Sequence, residues 1–101
     1  MHNINPIYSV AIKHFGEDNQ LLKCVEEMAE LQQAIIKFQL SSEISASNNQ
    51  SLLFNLIEEI VDVEIMLHQI KTIFNSETEI EIYNRYKSKK IEKLQNLIAI
   101  K

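Results

Sequence analysis

The sequence predicts an all-α fold, a four-helix bundle, on three observations. One Gly and one Pro in 101 residues leave a hairpin-rich β architecture without the turn residues it needs. Apolar residues recur at helical spacing through the long segments. A single extended polar stretch, residues 41–49 (SSEISASNN), lacks that period and reads as the one long loop. The length supports one small domain, residues 1–101. A domain of this size has difficulty burying all its apolar surface alone, so completion by homo-oligomerisation is expected, as a dimer or a tetramer.

Asn5-Pro6 opens the first helix, an N-cap followed by Pro at the position where its missing N–H costs nothing. That helix is expected to run to about His14, with Gly16 free to take a left-handed C-terminal conformation. Asp18 reads as the cap of a second helix reaching about Leu40. The third helix is expected from about Gln50 to about Phe74. Asn75-Ser76 then breaks the chain, and Ser76-x-x-Glu79 has the capping-box spacing for a fourth helix ending near Ile98.

At about 100° per residue, Leu21, Val25, Met28, Leu31, Ile35 and Ile36 gather on one arc of the second helix. Lys23, Glu26, Glu30 and Lys37 fall opposite, with Glu27 at the border. The third helix is apolar almost all round, from Leu52 to Ile70, and is expected to be central and buried, near an oligomer interface.

Four carboxylates stand out against this pattern. On the third helix Glu58 and Asp62 occupy the narrow polar strip, but Glu59 projects between Leu52 and Met66 among apolar side chains. A carboxylate in such surroundings is paired, neutralised or bound to a cation. The second helix carries Glu27 and Glu30, three apart and one turn apart on one face, the same separation as Glu59 and Asp62. Two antiparallel helices, each with such a pair, can set four acids around one point. Their hard oxygens suit Mg²⁺, with Mn²⁺ as the second choice, over zinc. The bland reading is a solvated acidic face with surface salt bridges to Lys23 or Lys37. Glu64, with His68 four residues on, reads equally as an internal ion pair.

The run Glu26-Glu27-x-x-Glu30, followed after a gap by Glu59-x-x-Asp62, resembles the MazG-like family of all-α nucleoside triphosphate pyrophosphohydrolases. The flanking Gln20-Leu21-Leu22-Lys23, Leu31, Ala34 and the stretch 63–67 agree with it. The resemblance implies that Glu27, Glu30, Glu59 and Asp62 are metal ligands. It gives Glu26 an outer catalytic role, positioning or deprotonating water. It further implies cleavage of (d)NTPs between the α- and β-phosphates, releasing (d)NMP and pyrophosphate in nucleotide-pool clean-up.

A triphosphate also calls for basic partners. Five of the ten Lys and Arg residues lie in residues 85–93, and Lys87 and Lys90 share a face there. The segment Tyr86-Lys87-x-x-Lys90 resembles the basic aromatic stretch of small family members, with Lys at a position where they often carry Arg. Asn84 is a further phosphate or sugar contact. The resemblance places base recognition at the end of the first helix, hence Phe15 and His14, of which Phe15 reads by default as a core aromatic.

A di-iron carboxylate bundle needs Glu-x-x-His, which neither acid pair provides. The alternative kept open is a non-catalytic helical dimerisation or interaction module that retains the fold. A net charge of −4 argues against nucleic-acid polymers and anionic membranes as partners. No apolar run approaches the ~20 residues of a membrane span. The lone Cys24 and a start without a signal-peptide pattern make the cytoplasm the expected location.

Overall fold

A computed structural model describes residues 5–41 and 46–99, and among them the chain is all-helical with no strand. The helices are α1 (Pro6–Phe15), α2 (Glu17–Ser41), α3 (Ala46–Ile73) and α4 (Glu77–Ala99). They fall into two compact units, α1 to α3 in one and α4 in the other.

The ends of α1 follow the local chemistry. Asn5 Oδ1 accepts from the Ile7 N–H at 3.0 Å, and Pro6 fills the first turn. Gly16 closes the helix at φ 93°, donating its N–H to the Ile12 carbonyl at 2.8 Å. Its own carbonyl then accepts from the Gln20 N–H, so one glycine serves both helices. Glu17 is the first residue of α2, so Asp18 lies inside the first turn and is not the cap. Both acids there complement the positive end of the helix.

The polar stretch is more helical than its composition suggests. Ser41 belongs to α2 and residues 46–49 belong to α3; residues 42–45 lie outside the described residues. Ser41 Oγ donates to the Phe38 carbonyl at 2.7 Å and is bonded to Asn49 Oδ1 at 3.0 Å, tying the two helix ends together. At the other end Gln20 Nε2 donates to Gln69 Oε1, and Gln69 Nε2 reaches Met66 Sδ. These contacts make α2 and α3 an antiparallel hairpin, and α1 packs on both.

The inward face of α2 is not its apolar arc. Buried on α2 are Gln20, Cys24, Ala34 and Ser41, whereas Val25, Ile35 and Ile36 are exposed. Small side chains at Cys24 and Ala34 let the backbones approach, and the paired glutamines leave no buried side-chain polar atom unsatisfied among the described residues. The helix expected to be central is likewise open. Among the described side chains of α3, Val63, Met66 and Gln69 are buried, while Phe54, Ile57 and Val61 are about half exposed.

In its own unit, α4 begins with the reciprocal capping box. The Ser76 N–H donates to Glu79 Oε1 at 3.0 Å, and the Glu79 N–H donates to Ser76 Oγ at 3.2 Å.

Candidate metal centre

The hairpin brings acids from both helices to one place. One carboxylate oxygen from each of Glu27, Glu30 and Glu59 lies within 4.8 Å of the other two. The pairing register explains this, because α2 and α3 run antiparallel and Gln20–Gln69 fixes their offset. Asp62, one turn beyond Glu59, lies close enough to act on the Glu59 carboxyl, although it is outside the mutually close three. Glu27 and Glu59 are partly buried and Glu30 is exposed.

Glu59 is the residue most altered by this setting. Its carboxyl is pushed from the usual 4.5 up to about 7, first by loss of water and then by hydrogen bonding and repulsion from Glu30 and Asp62. A carboxyl in that position retains a proton near neutrality unless a cation replaces it.

Lys23 supplies a positive charge at the rim. Its Nζ lies 3.4 Å from Glu27 and 3.6 Å from Glu26, one turn along α2. Those partners, the Glu27 hydrogen bond first, hold its ammonium above the usual value. The bland expectation of a salt bridge to Lys23 therefore holds for Glu26 and Glu27, and Glu26 is well exposed, its side chain 67% open to solvent. It does not extend to Glu30 and Glu59, which face each other. Cys24 lies behind the cluster, its thiol pushed up by burial and then by Glu27.

The donor set fits a hard divalent ion. Oxygens on one Mg²⁺ stand ~2.1 Å from it, so opposed ligands lie ~4.2 Å apart. Neighbouring ligands on such an ion lie ~3.0 Å apart, so three oxygens within 4.8 Å of one another could close onto one ion through side-chain rotation. Three carboxylates without nitrogen or sulfur donors disfavour zinc.

The other residues singled out by sequence are placed as follows. His14 and Phe15, at the end of α1, meet edge to face with centroids 4.6 Å apart. Phe15 is 55% exposed, so it is not the core aromatic that residue type alone suggests. On α4, Lys87 Nζ lies 5.9 Å from the Tyr83 ring centre, Lys90 is exposed, and Asn84 lines a depression with Glu77 and Glu81. His68 stacks on Tyr8 at 5.5 Å, and no Glu64–His68 ion pair forms among the described residues. Sequence reasoning missed the Gln20–Gln69 bond that sets the register; its only signal is a Gln on each helix at matching distance from the turn. Within the described residues, no helix is long and apolar enough to cross a membrane. Comparison with protein-family models, curated protein sequences and solved structures gave no match.

Proposed function

We propose that this chain is a Mg²⁺-dependent nucleoside triphosphate pyrophosphohydrolase with a MazG-like helical fold, working as a homo-oligomer. The observation that carries the reading is the convergence of Glu27, Glu30 and Glu59 from two helices. Acids so close repel one another, and a divalent ion is the partner that relieves them. Glu27, Glu30, Glu59 and Asp62 are the ligand set, and Glu26 is the outer acid that orients or deprotonates water. An ion held there, Mg²⁺ or Mn²⁺, would neutralise charge on the triphosphate and orient the attacking water. Water adds across the α–β anhydride, giving nucleoside monophosphate and pyrophosphate. Lys87, Lys90 and Asn84 are the phosphate contacts in this reading, and Phe15 and His14 meet the base.

The test is a panel of (d)NTPs with Mg²⁺, scoring pyrophosphate against orthophosphate. Pyrophosphate should appear in step with monophosphate and vanish in EDTA or in Glu59→Gln. Orthophosphate release, or full activity in Glu59→Gln, defeats the reading. The exposed apolar surface of α2 and α3 favours one rival, a helical interaction module. A module turns over no nucleotide in any lane of the same panel.

A further inference from the structure

Glu27 is claimed from two directions. One of its carboxylate oxygens belongs to the close set with Glu30 and Glu59, and its Oε1 lies 3.4 Å from Lys23 Nζ. The three acids are therefore held differently. Glu30 and Glu59 share a hydrogen bond, whereas Glu27 is met by an ammonium. The same Nζ lies 3.6 Å from Glu26 Oε1, so Lys23 stands between a ligand and the outer acid of the proposed centre.

The ion pair is one that can be exchanged. Lys23 precedes Glu27 by four residues, and Lys before Glu is the weaker order of an i, i+4 pair. The Lys23 side chain is 51% open to solvent, while that of Glu27 is 12% open. A lysine carries a point charge on a flexible stem, so it can leave Glu27 and keep Glu26 as its partner.

Charge decides when the exchange is favourable. An ion on Glu27 would stand ~2 Å from the carboxylate oxygen, hence ~5 Å from the ammonium where it now lies. At bulk-water dielectric and physiological salt, repulsion at that distance weakens divalent binding roughly threefold to tenfold. With a triphosphate on the ion the local sign reverses, and the same ammonium is attracted.

We propose that Lys23 is a displaceable counter-ion of Glu27, which makes the acid cluster resist a bare divalent ion and accept one that arrives with a polyphosphate. Lys23 is then a positioning residue that couples metal loading to nucleotide. This rests on the reading of the acids as a metal centre and adds which form of the ion the centre takes.

Calorimetric titration of the full chain tests it, with Mg²⁺ alone and then with a nucleoside triphosphate analogue non-hydrolysable at its α–β bridge. Circular dichroism checks that helix content is kept. Lys23→Met should bind Mg²⁺ alone about threefold to tenfold more tightly than the wild type. The gain in Mg²⁺ affinity that the analogue confers should shrink at least threefold. Lys23→Arg, which keeps the charge, should behave as the wild type. Lys37→Met should too, because Lys37 is exposed and lies ten residues, ~15 Å, along α2 from Glu27, outside the ~8 Å screening length. Affinity for Mg²⁺ alone that is unchanged or weaker in Lys23→Met overturns the proposal and leaves the metal centre standing. Equal tightening by Lys23→Arg or Lys37→Met overturns it as well. A wild type that binds no Mg²⁺ with or without the analogue removes the metal centre itself, and the role of Lys23 with it.

Discussion

Glu59 concentrates the chemistry of the hairpin in one side chain. Its carboxyl, ordinarily near 4.5, titrates near 7 in the folded chain because burial and the acids Glu30 and Asp62 oppose its charge. A raised folded pKa means the folded state holds the proton more tightly than the unfolded one. The stability that proton supports is fully present below about pH 4.5 and is lost as the pH rises through about 7. Thermal unfolding in EDTA should therefore shift to lower temperature from about pH 5 to about pH 8, and Glu59→Gln should flatten that slope. Divalent binding runs the other way, because the ion competes with the proton, so affinity should climb over the same interval. A metal-free stability that rises with pH, with or without Glu59, would contradict the arrangement.

Among the elements, the α1–α2 junction depends on one backbone position. Gly16 sits at φ 93° and ψ 145°, a region other residues avoid, although an added Cβ would meet only Asn19 Nδ2 at 3.8 Å. Gly16→Ala should thus cost on the order of 1–3 kcal/mol through backbone strain and not through a clash, read by urea unfolding. The α2–α3 contact depends on small side chains. Ala34 is 2% exposed, and Ala34→Leu should destabilise by about 1–3 kcal/mol in the same measurement and loosen the acid cluster with it.

These same elements show what the sequence could and could not tell. Asn5-Pro6, Gly16 and the Ser76–Glu79 box were legible because a cap is a local bargain between neighbouring atoms. The acid pairs were legible because i, i+3 spacing fixes a face. The inward side of α2 was not. Hydrophobicity pointed to Val25, Ile35 and Ile36, whereas close approach selected Cys24 and Ala34 and a buried glutamine pair. An apolar arc identifies a surface that avoids water without naming which partner covers it. The polar run 41–49 misled at its two ends for a related reason. Composition suggested a loop, but Ser41 and Asn49 satisfy one another across the helix ends.

For the whole molecule, a chain of net charge −4 that gathers acids on one side of a hairpin is poorly suited to a polyanion by itself. A divalent ion reverses that local sign, which is why metal and triphosphate belong to one hypothesis. The two acid pairs come from segments roughly thirty residues apart, so an ion shared between them would depend on the fold and on no single helix. The most direct measurement is calorimetric titration of Mg²⁺ at about pH 8, with a nucleotide analogue non-hydrolysable at its α–β bridge present. Binding should be clear in the wild type and lost in both Glu27→Gln and Glu59→Gln, one change on each helix. Unchanged Mg²⁺ binding in either variant would contradict a shared site.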